Sequence, residues 1–365
     1  MTATNHNPGV LPPDLPVPED DGACLHLRGR GLPGLDLPGT GGPTVNLRHL
    51  EGGPAVLFFY PRTGIPGQPP SLGFHGEAWD SIPGARGCTP QSCGFRDLHA
   101  RFAGLGVRVY GVSTNTPGHQ GEFKARTHVP FDLLSDAELR LTRFMALPTF
   151  EFPVESGGPT TLLKRMAWYV EPDGSRAQRI VRVWYPVFPP DRNAGEVLAW
   201  LNRRASIVVE PASPSNIEFV RRELVEHWQS TTIISLGVAY QADRLDGFVA
   251  RVDGQPRGHL TYFPSQRGLE VISLTATRDD LGVGTRLMDA AEARARELGA
   301  RRLFLTTTND NLRALRFYQR RGMRMVAVHR GMMDRYRAEH KPIPWIGLNG
   351  IPLRDEIELE FMLEE

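Results

Sequence analysis

Short, strongly apolar runs at 55–60, 107–113 and 166–171 read as buried strands, and segments with helical spacing lie at 89–104, 118–127 and 137–145. Strands that alternate with helices imply an α/β layer fold. An amphipathic helix over 193–205, with Val197, Leu198, Trp200 and Leu201 as its apolar residues, closes this half. A strand is expected next at 207–210, then a helix beginning near Asn216, with Ser215 and Glu218 at capping-box spacing. Further strands are expected at 247–252, 259–263, 269–275, 302–307, 323–330 and 356–363. A helix over 283–298 carries Leu287, Ala291, Ala295 and Leu298 on one face, and Gly299 follows as its C′ residue.

This pattern divides the chain. Residues 1–22, rich in Pro, Asp and Gly without periodicity, read as a flexible tail. Residues 23–205 then form one α/β domain and 206–365 a second, mixed α/β domain, as a length of 365 residues suggests. The 42 basic and 41 acidic residues nearly cancel, which gives no pull toward nucleic acid or membrane. No apolar run is long enough to span a bilayer and the first residues lack a secretory pattern, so a soluble cytoplasmic protein is expected.

Three cysteines are too few for a disulfide framework, and two of them, Cys88 and Cys93, sit together in the run Gly-Cys-Thr-Pro-Gln-Ser-Cys-Gly-Phe-Arg-Asp. Thr89 and Pro90 suit the first turn of a helix that Gly94 interrupts without abolishing. At that helix start, unpaired N–H groups and the helix dipole favour an anion, hence a thiolate at Cys88. Residues five apart on a helix lie about 8.6 Å apart at Cα, whereas a disulfide needs roughly 4.4–6.8 Å. The two thiols therefore join only if the helix unwinds. A pair of buried, inert cysteines is the competing reading. No second Cys or His pair stands at ligand spacing, so no metal is expected.

With the strand ending Phe-Phe-Tyr-Pro and the turn Trp-Tyr-Val-Glu-Pro-Asp-Gly from Trp168, the cysteine run resembles a peroxiredoxin of the bacterioferritin-comigratory type over about residues 23–204. The resemblance implies a thioredoxin-like fold, a hydroperoxide substrate, Cys88 as the peroxidatic and Cys93 as the resolving cysteine, and thioredoxin as reductant. Arg165 matches the arginine that stabilises the thiolate and the leaving oxygen; it reads equally as a solvated strand-edge residue. The family carries Thr or Ser three positions before the peroxidatic cysteine, where this chain has Ala85. Pro61-Arg62-Thr63 resembles the start of that motif, but 24 residues separate Thr63 from Cys88, which reads as an inserted loop across which Thr63 folds back. Cys24 is expected to have no catalytic role.

In the second half, Thr277-Arg-Asp-Asp-Leu-Gly-Val-Gly-Thr links a strand to a long helix through two glycines, a turn whose exposed N–H groups can cradle a pyrophosphate. Downstream come Asn311, Ala314, Phe317-Tyr318 and Gly322, at the spacing of the GCN5-related N-acetyltransferases, which residues 206–365 resemble. The likeness implies acetyl-CoA over splayed central strands at Leu274 and Ala276, with its pyrophosphate on Leu281, Gly282, Val283, Gly284 and Thr285. Asp279 stands where the family has Gln or Arg, with Arg278 beside it. By the same likeness Tyr318 protonates the departing thiolate, a role that suits a neutral phenol; it reads also as a packed aromatic. Asn311 would bond the cofactor arm or cap its helix, and Glu270 would be a general base or a solvated strand-end carboxylate. The segment 342–355 is too long for a tight hairpin and is expected to shape the pocket of an amine acceptor that the sequence does not name. The whole reads as a two-domain enzyme, or alternatively as a thiol sensor regulating an acyltransferase or CoA-binding module.

Overall fold

The run Ala-Val-Leu-Phe-Phe buries both faces of a strand, and it forms β1 (Ala55–Phe59), all five residues of which are buried at the centre of a five-stranded sheet. The computed structural model describes residues 11–42, 44–64, 77–152, 160–173, 175–276, 281–339 and 343–363. Contacts divide the chain into two compact units, Met1–Leu201 and Asn202–Glu365.

In the first unit, α1 (Cys88–Asp97) and α2 (His99–Gly104) follow β1. The single helix expected over 89–104 is thus two: α1 runs through Gly94 unbroken, and the break falls at Leu98, whose φ/ψ of −99°/3° leaves the helical region. Next come β2 (Arg108–Ser113), α3 (Pro117–Thr127), β3 (Asp132–Ser135), α4 (Arg140–Met145), β4 (Met166–Pro172), β5 (Gln178–Trp184) and α5 (Asn193–Ala205), within which the division of the chain falls. The sheet order is β3-β2-β1-β4-β5, with β2 parallel to β1 and β4 antiparallel to it. Leu57, Phe59, Val112, Leu134 and Trp168 pack one core on this sheet. Of the segment expected as a flexible tail, Asp21 is described as accepting from Lys164 Nζ at 2.8 Å and from the Tyr185 hydroxyl at 2.9 Å.

The second unit opens with β6 (Val208–Pro211) and α6 (Ile217–Trp228). The expected capping box is absent: Asn216 is the N-cap residue, its Oδ1 accepts from the Ser213 N–H, and the Ser215 hydroxyl pairs with that of Ser213. A hairpin follows, β7 (Thr232–Ser235) and β8 (Val238–Gln241), then β9 (Gly247–Val252), β10 (Gln255–Ser265) and β11 (Gly268–Ala276). After α7 (Val283–Glu297) come β12 (Arg302–Thr308), α8 (Leu312–Arg320), β13 (Arg324–His329), α9 (Met332–Glu339) and β14 (Glu356–Met362). Seven strands form one sheet in the order β6-β9-β10-β11-β12-β14-β13.

One feature of this sheet positions the site. β11 and β12 are parallel neighbours, yet they pair only from Leu269 to Val271 against Leu303 to Leu305, although both run on for several residues. Against β10 the register jumps from Tyr262↔Val271 to Thr261↔Ser273, so Ile272 is an extra residue, a β-bulge. A bulge bends its strand, and this one sits at the row where β11 leaves β12, so the strands fork there.

Candidate active sites

Gly87 caps α1 with φ +105°, a backbone conformation that only glycine adopts without strain, and an added Cβ there would lie 2.6 Å from Pro190 Cγ. Cys88 is thereby the first residue of α1, where backbone N–H groups lack intrahelical acceptors. Arg165 Nη2 donates to its Sγ at 3.3 Å. The guanidinium is buried and held on several sides: it donates to the carbonyls of Gly84 (3.2 Å), Ala85 (3.0 Å) and Arg86 (3.1 Å) and to Gln91 Oε1. Gln91 is fixed in turn by donating to Asn193 Oδ1 at 3.0 Å. Arg165 is therefore a buried cation on the sulfur and not a solvated strand-edge residue.

Cys93, one turn and a half further along the unbroken helix, is half-buried, and burial pushes its thiol up from the ordinary value. All three cysteines are free thiols. Cys24 packs against Met166 Sδ at 3.9 Å, and burial pushes its thiol up to about 12. The Tyr60 phenol, which follows β1, is held neutral by burial.

Ala85 lies in an apolar cluster with Trp79, Phe152 and Leu162, and its contribution near the sulfur is its carbonyl. Thr63 is buried beside His119 of α3: the Thr63 carbonyl lies 2.7 Å and its hydroxyl 3.0 Å from Nε2. A carbonyl only accepts, which assigns the ring hydrogen to Nε2. The hydroxyl then keeps its own hydrogen for another acceptor. Among the described residues no hydrogen bond joins Thr63 to Cys88, and 65–76 of the expected insertion lie outside the described residues.

In the second unit the fork of β11 and β12 organises the candidate residues. Leu274 and Ala276 lie on β11 beyond the last row paired with β12. Flanking Leu274, Ser273 and Thr275 hydrogen-bond the buried ring of His259, whose pKa burial lowers to about 3. Gly282 caps α7 with φ +93°, and Val283, Gly284 and Thr285 form its first turn, with N–H groups that have no acceptor in the helix. Arg204 Nη1 donates to the Leu281 carbonyl at 2.8 Å and lies 2.4 Å from where a Cβ on residue 282 would stand. Arg278 and Asp279 lie outside the described residues. Gly284 faces Phe317 of α8, 3.5 Å from the ring to the position of an added Cβ. Such a cradle, backbone donors at a helix start beside an open strand fork, fits a pyrophosphate and its pantetheine arm.

Asn311 does cap its helix, accepting from the Ala314 N–H at 3.2 Å. Tyr318 is buried in the same helix, its phenol pushed up by burial, and its hydroxyl has no hydrogen-bond partner among the described residues. Glu270, expected at a solvated strand end if not a base, is buried on the last paired rows before the fork. It accepts from the Ser235 hydroxyl at 2.5 Å and the Tyr240 hydroxyl at 3.3 Å, and burial raises its carboxyl above the ordinary range. Ser235, Tyr240, Gln91 and Asn193 escaped the sequence reading. Only Gln91 carried a signal, its position three residues after Cys88 on the same helix face.

The segment before β14 is tied down at both ends. Arg337 donates to the carbonyls of Ile343, Pro344 and Leu353 and stacks on Trp345, while Asp310 accepts from the Leu348 N–H at 2.7 Å.

Residues 81–174 match the AhpC/TSA family and residues 214–323 the acetyltransferase (GNAT) family. Peroxiredoxin Bcp of Bacillus subtilis is 30% identical over 166 residues, covering 46% of this chain and 89% of that protein. The uncharacterized protein YxbD of the same organism is 36% identical over 135 residues, covering 37% of this chain and 85% of that one. Among solved structures, peroxidoxin BcpB from Mycobacterium tuberculosis is 26% identical with a TM-score of 0.37, over 48% of this chain and 96% of that one. The chain belongs to the peroxiredoxins through its first half and to the GNAT acetyltransferases through its second, as a fusion of the two. Both are families of enzymes, and the acyl donor of the second is acetyl-CoA. No helix among the described residues is long and apolar enough to cross a membrane.

Proposed function

We propose that the chain is a bifunctional enzyme, a thiol peroxidase in residues 23–205 and an acetyl-CoA-dependent N-acetyltransferase in residues 206–365. The observation that carries the first activity is Arg165 Nη2 at 3.3 Å from Cys88 Sγ at the start of an unbroken helix. The thiolate attacks one peroxide oxygen; an S–O bond forms, the O–O bond breaks, and the departing alkoxide or hydroxide, stabilised by Arg165, takes a proton. The Thr63 hydroxyl hydrogen, which His119 does not use, is the donor to the peroxide. Cys93 then attacks the sulfenic sulfur, an S–S bond forms and water leaves, after α1 has locally unwound. A dithiol reductant of the thioredoxin type returns both thiols. This chemistry suits a reducing cytoplasm.

In the second activity the N–H groups of 282–285 would hold the pyrophosphate of acetyl-CoA and the fork its arm, and the cosubstrate would supply the acyl group as a thioester. Glu270 takes a proton from the acceptor amine, Asn311 bonds the cofactor arm through its Nδ2, and Tyr318 protonates the thiolate of CoA. The pinned segment 343–355 shapes the acceptor side.

Mass spectrometry of the full chain after one equivalent of peroxide tests the first activity. A Cys88 sulfenate or a Cys88–Cys93 disulfide is expected, and an unmodified pair would sink it. Thr63→Val is expected to slow this oxidation while Thr63→Ser preserves it. Release of CoA thiol from acetyl-CoA with spermidine, tryptamine and lysine methyl ester as probe amines tests the second activity, and acetyl-CoA binding without transfer to any amine overturns it.

A further inference from the structure

Beneath the fork, four side-chain oxygens stand in a row. Glu270 Oε1 lies 2.5 Å from Ser235 Oγ, Ser235 Oγ lies 2.9 Å from Thr306 Oγ1, and Thr306 Oγ1 lies 2.8 Å from Glu356 Oε1. Ser235, Glu270 and Glu356 are buried. Thr306 is the first residue of β12 beyond its paired rows with β11, so the row crosses the fork at its closed end. Each hydroxyl owns one hydrogen and an ionised carboxylate owns none. Three contacts therefore share two hydrogens, and with both carboxylates ionised one pair of oxygens meets lone pair to lone pair. A single added proton, on either carboxyl, completes the row.

The outer oxygens are already served. Tyr240 donates to Glu270 Oε2, while Tyr336 OH and the Leu236 N–H donate to Glu356 Oε2 at 2.9 and 3.2 Å. The added hydrogen thus belongs on the inner oxygens, where it can pass along the row. The titratable and charged groups around the row are Tyr240 from β8, Tyr336 from α9, Arg267 from the turn before β11, and each carboxyl for the other. Glu358, the next acid along β14, is taken up by Arg267, Arg302 and His329.

We infer that Glu270 and Glu356 share one proton, which the hydroxyls of Ser235 and Thr306 pass between them, so that Glu270 is ionised and able to receive a proton from the acceptor amine when the shared proton stands on Glu356. In that shift the O–H bonds at Glu270, Ser235 and Thr306 break as O–H bonds at Ser235, Thr306 and Glu356 form, and no electrons are transferred. Burial raises the carboxyl of Glu270 and favours the proton there; the row gives that proton a second seat on Glu356. Ser235, Thr306 and Glu356 are positioning residues for the base, and the assignment rests on the acetyltransferase reading above.

Thr306→Val cuts the row, so the acid limb of kcat/KM for the probe amines should move to higher pH by about one unit, roughly a tenfold loss at a fixed pH on that limb. Acetyl-CoA affinity should be unchanged. Thr306→Ser restores the limb, and so does Glu356→Gln, whose amide N–H imitates the protonated acid toward Thr306. An unmoved limb in Thr306→Val, or a limb that moves as far in Glu356→Gln, overturns the inference. Infrared spectroscopy of the full chain decides the point even if none of the three amines is acetylated, an outcome that sinks the acetyltransferase reading alone. A protonated-carboxyl band at neutral pH that vanishes in Glu356→Gln and in Glu270→Gln alike is expected, since an amide at either end supplies the missing hydrogen; a band that survives in either variant, or no such band in the wild type, means the shared proton does not exist.

Discussion

At Cys88 the chain sets a thiol against a buried cation, whereas at the fork between β11 and β12 it leaves a gap with backbone donors beside it. In the first region the charge is fixed in advance: Arg165 is held by three carbonyls and Gln91, and the sulfur faces its Nη2. The second centre is defined by what the sheet omits, with pairing abandoned after three rows. Preorganised charge concentrates function in single side chains. A cradle of backbone donors spreads it over many positions, each of which tolerates side-chain change.

Substitutions should expose that difference. Cys88→Ser is expected to remove peroxide consumption by about a thousandfold or more while leaving CoA-thiol release from acetyl-CoA untouched; a parallel loss of both would erase the distinction between the centres. Arg165→Lys keeps a charge but loses the fork that reaches sulfur and carbonyls together. It should slow Cys88 oxidation by about a hundredfold, followed by stopped-flow fluorescence of the tryptophans, and a change below threefold would show that the helix start alone activates the sulfur. Tyr318→Phe, in the second centre, should lower kcat by about tenfold to a hundredfold with little change in KM for acetyl-CoA, because the aromatic packing survives.

The smaller effects concern buried groups. A carboxyl whose pKa is raised on folding binds more protons in the folded than in the unfolded state between its ordinary and its raised value, so stability falls as pH rises through that window. Melting of the second unit should therefore decline as pH rises from about 4.5, the ordinary Glu value, and Glu270→Gln should flatten the slope. A slope of opposite sign would mean the carboxylate is stabilised by folding. Smallest of all, Cys24 should resist iodoacetamide at pH 8 in the native chain while Cys93 reacts, since Cys24 is buried against Met166 with its thiol pushed up to about 12.

The seven strands of the second sheet and β1, β2 and β4 of the first were legible because they are apolar runs of distinct length, whereas the four-residue β3 and β5, with Arg179 and Arg182 along it, were not; Cys88, Arg165 and Tyr318 stood out because local motifs mark them. The partners of those residues were not legible. Asn193 reaches Gln91 across about a hundred residues, and nothing in an asparagine at the start of a helix announces such a contact. The hairpin that delivers Ser235 and Tyr240 turns at Leu236 and Gly237, both with positive φ, and a leucine conceals a turn that Asn-Gly would have declared. The bulge at Ile272 left no trace in a run that reads as one continuous strand.

Where β11 parts from β12, the sheet carries two unpaired rims in its interior rather than at its margin. Unpaired strand rims are normally a hazard, which proteins cover or charge to keep other chains from docking. In the proposed acetyltransferase the amide-bearing arm of CoA would cover these rims, acting on the second unit as a missing strand would. Its melting temperature should consequently track cosubstrate concentration, with a gain of about 2.7 kcal/mol at a hundredfold excess over Kd. The same arm would thereby tie the folding of this half of the molecule to its acyl donor.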